Sequence, residues 1–217
     1  MLEPSSEGVF FLWLPGDAAN PENRLTVAFM ERISAAVAEA ERRGARALVT
    51  VSRTRFWSNG VDLTARTTAD ILDALQRLCA RFMAAPFPTV ALVNGHAFGG
   101  GLMLALAHDY RVAYPAKGWL CIPAVDLRIV LPKPLVLLAR AKLGRPVATR
   151  VLLSGDRFGG IDAAQLGIVD KTVKDFNSGV DFARGRARDV GTAYGATKAM
   201  LFDDVIAELN GQPRAKL

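Results

Sequence analysis

Pro88-Thr-Val-Ala-Leu-Val-Asn-Gly-His-Ala-Phe-Gly-Gly-Gly-Leu-Met-Leu-Ala-Leu-Ala-His-Asp-Tyr-Arg-Val112 decides the fold. It reads as a buried strand over Thr89–Val93, a glycine-rich turn, and an apolar helix over Gly101–Ala107. Three consecutive glycines at the mouth of a helix leave bare backbone N–H groups, and the helix dipole there favours negative charge. Such a device stabilises an oxyanion without a catalytic side chain. The plain alternative is tight packing of helix on strand. Gly99-Gly100-Gly101 is not a P-loop, because no Gly-Lys-Ser/Thr follows, and it misses the dinucleotide spacing.

On both sides of this stretch strands and helices alternate. Strands are expected at Gly8–Leu14 and Ala47–Val51. A helix is expected from Thr26, a plausible N-cap, to Arg43 with Gly44 as its stop. A second helix runs over Thr68–Ala85, ended by Pro86 and Pro88. Asp17–Asn23 reads as a loop and Phe56–Gly60 as a turn. Short strands follow at Tyr110–Tyr114 and Trp119–Ile122. Beyond Pro132 the pattern is mainly helical: Pro134–Leu143, Val147–Leu153, Ala163–Gly167 and one long segment from about Ser178 to Asn210. Ile168–Thr172 reads as a last strand. The alternation implies βαβ units, a parallel sheet and an α/β fold.

Composition sets the class of partner. The 217 residues are 51% hydrophobic and 22% charged, which suits a globular chain with a sizeable core. A net charge of +6 favours an anionic partner. The densest basic groups are Arg42-Arg43, Arg53/Arg55 and Arg184/Arg186/Arg188, with no aromatic interleaving, so nucleic acid is the weaker idea. Cys79 and Cys121 lack metal spacing and are expected as buried free thiols. No apolar run is long enough to span a membrane, and the N-terminus lacks a basic-then-apolar signal. The chain ends Arg-Ala-Lys-Leu, and Ala-Lys-Leu varies the Ser-Lys-Leu peroxisomal address by one small residue. Peroxisome is therefore the expected location and cytoplasm the alternative.

A second turn, Arg55-Phe-Trp-Ser-Asn-Gly-Val-Asp-Leu63, also follows the carboxyl end of a strand, and Asn59-Gly60 permits positive φ. Ligands of parallel sheets bind at those ends. Two N–H groups from two such turns can converge on one oxygen, each worth about 3 kcal/mol to a transition state.

Phe56–Leu63 followed by Val93–Gly101 resembles the crotonase superfamily of enoyl-CoA hydratases and isomerases. Ser154-Gly-Asp and Ala163-Ala-Gln-Leu-Gly-Ile-Val-Asp170 resemble its later signature. Ala105–Tyr110 and Val125–Leu127 are similar to segments of plant-type peroxisomal Δ3,Δ2-enoyl-CoA isomerases. The resemblance implies a spiral of ββα units, with an acyl-CoA-binding core over 1–175 and a helical C-terminal segment over 176–217 in the same unit. It implies that Val61 and Gly100 give the oxyanion-hole N–H groups. It places coenzyme A against Arg24, Leu25, Ser58, Asn59, Gly60, Asp62 and Leu63. No metal or further cofactor is implied, since coenzyme A is part of the substrate. The substrate partner is an acyl-CoA thioester, and the assembly a homo-trimer using Pro132–Leu143 and the C-terminal helix. Arg53 and Arg55 are candidate phosphate contacts, against plain surface solvation.

The chain departs from this pattern at the base. Family hydratases use two glutamates, at the positions of Met103 and Ala124; isomerases keep the one at Ala124. Both are absent here. Met103 argues against hydration, and a methyl group at Ala124 moves no proton. Asp126 is the sole carboxylic acid between Ala113 and Lys142. In an extended segment residues 124 and 126 share a face, so Asp126 is a candidate stand-in, against a structural role beside Arg128. Ala124 reflects a deliberate substitution, a non-catalytic acyl-CoA-binding homologue, or a base located elsewhere. His96 is expected to pack in the glycine turn, and His108 to end a helix. Trp13, Trp57 and Trp119 are expected in the core or a pocket wall. The leading reading is a Δ3,Δ2-enoyl-CoA isomerase of fatty-acid β-oxidation; the alternative is a binding homologue, and a hydratase is the weaker third.

Overall fold

A computed structural model describes residues 1–64, 68–187 and 192–212. Its main sheet has six strands in the order β1 (Leu2–Pro4), β2 (Val9–Leu14), β3 (Ala47–Ser52), β5 (Thr89–Val93), β7 (Tyr110–Ala113) and β9 (Lys171–Thr172). β1 runs antiparallel to β2; every other pairing is parallel. A second, three-stranded parallel sheet holds β4 (Phe56–Ser58), β6 (His96–Phe98) and β8 (Leu120–Cys121).

Each strand of the small sheet follows directly on a strand of the large one. β3-β4 leads into α2 (Thr68–Met83), β5-β6 into α3 (Gly100–Ala107), and β7-β8 into α4 (Lys133–Leu153). The chain is therefore the expected α/β spiral of ββα units, turning three times. Sequence reading missed β1, β4 and β6. It took β4 for part of a turn, because three residues are too few to display a period.

Both faces of the large sheet are covered, which explains its nearly continuous apolar strands. Phe10, Leu12, Leu14 and Leu48 point into the main core with α1 (Val27–Arg42), α2 and α3. Their neighbours Val9, Phe11, Val49 and Val51 point the other way, onto Val180 and Ala183 of α6 (Phe176–Arg184). Alternation along each strand delivers the two sets to opposite faces. Thr26 caps α1, accepting the Phe29 N–H at 3.2 Å. Gly44 follows the helix at φ 69°, as its stop requires.

The long helix expected over Ser178–Asn210 is instead divided. α6 ends at Arg184, and α7 (Ala193–Leu201) and α8 (Asp203–Leu209) meet at Phe202, whose φ of −122° is not helical. Residues 188–191 lie outside the described set, Arg188 among them. An ion pair buried on both sides ties α7 to the core: Lys198 Nζ lies 2.8 Å from Asp109 Oδ2 and donates to the Phe82 carbonyl at 3.0 Å. The same carboxylate accepts the Thr89 N–H at 2.8 Å. Removing one partner of such a pair strands a buried charge. α4 breaks at Gly144 (φ 67°), in keeping with the two helices expected there. Leu135, Leu138 and Ala139 of its first half are buried within the chain, so these three are not offered to a partner. Among the described residues no helix is long and apolar enough to cross a membrane.

His108, at the end of α3, is fully buried. Its Nδ1 contacts the Leu104 carbonyl and its Nε2 the Thr50 hydroxyl, both at 2.8 Å. A carbonyl only accepts, so Nδ1 carries a proton. Burial pushes the imidazole pKa down to about 3, so near neutral pH the ring is uncharged and Nε2 accepts from the Thr50 hydroxyl.

Two predictions follow from this packing. A Cβ on Gly101, in the first turn of α3, would fall 2.5 Å from the Ser58 carbonyl oxygen. Gly101→Ala should therefore destabilise the fold by about 1–3 kcal/mol in urea unfolding, since backbone cannot move aside as a side chain can. The second concerns pH. The unfolded imidazole takes up a proton below about pH 6.5, while the folded one resists until about pH 3. Stability from His108 is thus complete above that range and lost as pH falls through it, with a limiting slope of about 1.4 kcal/mol per pH unit. His108→Gln should flatten this part of the stability–pH curve.

Candidate active site

The two turns expected to meet do so. The first leaves β4 through Asn59 and Gly60 (φ 79°), and the second leaves β6 through Gly99 (φ 50°) into α3. A Cβ on Gly60 would sit 3.3 Å from Gly100 N, and a Cβ on Gly100 would sit 3.3 Å from Val61 N. The N–H groups of Val61 and Gly100 therefore border the same small space, and both residues line one cavity.

Each donor is free for a structural reason. Leu25 and Val61 form a parallel bridge: the Leu25 N–H donates to the Gly60 carbonyl at 2.8 Å, and the Asp62 N–H donates to the Leu25 carbonyl at 3.3 Å. Alternation along the segment turns the intervening Val61 N–H away from that bridge. Gly100 is the first residue of α3, so its N–H has no acceptor within the helix. Neither group donates to a protein acceptor among the described residues. Two unpaired donors at a helix N-terminus are suited to a developing oxyanion.

Several flanking residues shape the turns without entering the cavity. Ser58 is buried; its hydroxyl donates to the Asn23 carbonyl at 2.8 Å and accepts the Gly60 N–H at 3.3 Å. Asn23 is the hub that sequence reading left in an ordinary loop. It is fully buried at φ 49°, and its amide donates to Ser52 Oγ and the Phe56 carbonyl, both at 2.9 Å. Asp62 accepts from Thr64 N–H and Oγ1, which hold its carboxyl below the usual range, the hydroxyl most strongly. It forms a turn and does not reach the cavity wall. Leu25 is fully buried behind it.

At the cavity's rim, Asn59 Nδ2 and Arg24 Nε each donate to Glu22 Oε2 at 2.9 Å. These contacts hold the Glu22 carboxyl below its ordinary range, the Asn59 hydrogen bond first. Arg24 and Asn59 are the sole polar side chains on the cavity wall among the described residues. The rest of the wall is apolar, including Leu63, Leu75, Met103, Ile122, Leu127 and Leu135, around about 230 Å³.

Ala124 lies on this wall, 6% exposed. Asp126 does not. The segment from Pro123 is a helical turn, with the Leu127 N–H donating to the Pro123 carbonyl and the Ile129 N–H to the Ala124 carbonyl. Residues 124 and 126 then no longer share a face, and Asp126 points outward over Gly155. The extended geometry expected for this segment was wrong, and with it the stand-in base.

The remaining candidates stand apart from the cavity. Arg53 is held by Glu3 at 2.8 Å and stacks over Trp13, and Arg55 lies over the Phe56 ring. His96 is wedged beside Phe56 and Phe98, its Nδ1 accepting the Trp119 N–H at 3.2 Å, which is the packing role expected of it. Trp57 is fully buried core, while Trp119 is 45% exposed. The C-terminal tripeptide, residues 215–217, lies outside the described set.

Known proteins of similar sequence and fold set the family of this chain. The chain is 31% identical over 225 residues to peroxisomal enoyl-CoA delta isomerase 2 of Arabidopsis thaliana, covering 95% of this chain and 93% of that one. Its fold superposes on a probable enoyl-CoA hydratase of Mycobacterium tuberculosis with a TM-score of 0.87 at 23% identity, covering 98% and 92% of the two chains. The human mitochondrial delta3-delta2-enoyl-CoA isomerase gives the same TM-score at 24% identity, covering 98% and 86%. The profile of the enoyl-CoA hydratase/isomerase family matches residues 17–215, and with its ββα spiral and paired glycine turns the chain belongs to that family.

Proposed function

We propose that this protein binds acyl-CoA thioesters in the manner of a Δ3,Δ2-enoyl-CoA isomerase, with the thioester oxygen between the Val61 and Gly100 N–H groups. The observation that carries this reading is the approach of those two unpaired donors above an apolar cavity. Relatives named enoyl-CoA delta isomerases support it. The cavity suits an acyl chain, and the +6 charge suits the phosphates of coenzyme A. Arg24 is the cation on the cavity wall among the described residues.

Isomerisation of a 3-enoyl thioester to the 2-trans form moves one proton from C2 to C4. The oxyanion hole would stabilise the dienolate between the two steps. A carboxylate at position 124 would carry the proton; Ala124 cannot. Hydration is further still from this cavity, since neither Met103 nor Ala124 can activate water. A second reading, a binding homologue without turnover, is favoured by the absence of any acid or imidazole on the described cavity wall. Peroxisomal location is supported by the names of two relatives, both peroxisomal enoyl-CoA delta isomerases. A trimer remains part of the proposal.

Ala124→Glu tests the isomerase reading. General acid–base catalysis contributes about 10²–10⁴-fold, so the variant should isomerise 3-enoyl-CoA faster than the unaltered chain by a factor in that range. A variant that binds enoyl-CoA in thermal-shift titration yet gains no turnover would overturn it.

A further inference from the structure

At the end of α3 away from the glycine turns lies a second cavity, of about 520 Å³. Its wall draws on Asp109 and Tyr110 after α3, Lys142 of α4, Tyr194 and Lys198 of α7, and Phe202 at the joint of α7 and α8. It shares no lining residue with the cavity between the two turns.

The charges around this second cavity do not balance. Asp109 is taken by Lys198 at 2.8 Å, and Asp170 by Arg111 at 3.4 Å. Lys142 is left over. Among the described residues its Nζ has no hydrogen bond and no ion pair, and it lies 4.5 Å from the centroid of the Phe202 ring. Arg186, 4.8 Å over the Tyr110 ring, adds a further cation to the cluster. Near neutral pH His108 is uncharged and supplies no counter-charge. Tyr194 stays a neutral phenol, because burial first and Asp109 second push its pKa up. Among the described residues α8 puts no charged group on this wall. Burial thus acts on an uncompensated amine and pulls the Lys142 pKa down to about 8.

We propose that this cavity binds an aliphatic monocarboxylate, with the carboxylate paired to Lys142 Nζ and the alkyl chain laid on Phe202 and Leu201. A desolvated cation without a partner is costly, and an anion relieves that cost. Asp109 on the same wall repels a dianion more than a monoanion, which favours a carboxylate over a phosphate. The Thr197 hydroxyl on this wall offers the carboxylate a second donor. Leu201 lines the cavity yet is 68% exposed, so an alkyl chain there removes apolar surface from water. Binding and protonation are then linked. An anion beside Lys142 favours its charged form and raises its pKa. In the free protein the amine loses its proton as pH rises through about 8, so affinity is full below that value and declines above it.

The test is isothermal titration calorimetry of the full-length protein with octanoate. Octanoate should bind, and 1-octanol, which has the same chain without the charge, should bind at least about tenfold more weakly. Octanoate affinity should fall at least about tenfold from about pH 6.5 to about pH 9.5. Lys142→Met keeps much of the side-chain length, so it should abolish binding and raise the thermal midpoint by removing the unpaired charge. Lys142→Arg should retain binding. Absence of octanoate binding, octanol binding as tight as octanoate, affinity unchanged with pH, or undiminished binding by Lys142→Met would each overturn the proposal. Tighter binding of octyl phosphate than of octanoate would overturn the choice of a carboxylate. The octanol and pH comparisons use the unaltered chain and do not depend on a variant folding. No arm involves a CoA thioester, so the outcome is separate from that of the isomerase reading.

Discussion

The structure depends on one close approach of backbone to backbone. The β4 turn and the N-terminus of α3 pack so tightly that a methyl group at Gly60 would strike the Phe98 carbonyl oxygen at 2.7 Å, and one at Gly101 the Ser58 carbonyl oxygen at 2.5 Å. Glycine permits both the spacing and the positive φ at Gly60 and Gly99. The result is two N–H groups, Val61 and Gly100, from segments that the sequence separates widely. Their alignment is fixed before any ligand arrives, which is the condition under which such donors act on a transition state without reorganising. Asn23 and Ser58 hold one side of this arrangement through buried hydrogen bonds, and the ββα spiral supplies the other.

Around those donors the cavity is almost wholly apolar. That combination separates two functions that usually travel together. Stabilising an enolate needs fixed dipoles and a dry wall, and both are present. Making an enolate from a neutral acyl thioester also needs a proton acceptor, and Ala124 and Met103 leave none on the described wall. The same dryness that strengthens the oxyanion contact would penalise an unpaired carboxylate on that wall.

Much of this was legible in the sequence, where the signal was local. The Pro88–Val112 stretch gave strand, glycine turn and helix in order, because buried apolar runs and consecutive glycines announce themselves within a few residues. Two strands of the small sheet did not, since β4 and β6 are too short to show alternation, whereas β8 falls inside the strand expected at Trp119–Ile122. The Asp126 assignment failed because Pro123 opens a helical turn, where a two-residue step no longer returns to the same face. The single long C-terminal helix failed because apolar spacing continues through the break at Phe202. Asn23 was invisible as a hub: its partners Ser52 and Phe56 are distant in sequence, and nothing local marks a buried asparagine.

The central claim is that an acyl thioester sits with its carbonyl oxygen between the Val61 and Gly100 N–H groups. Isotope-edited infrared spectroscopy reads this directly, by comparing the C=O stretch of a 13C-labelled acyl-CoA free in water and bound to the protein. Two donors fixed in a dry cavity should polarise the carbonyl more than water does, so the account predicts a shift of the bound band to lower frequency. A bound thioester whose carbonyl band stays at the aqueous frequency, or rises above it, would contradict the account.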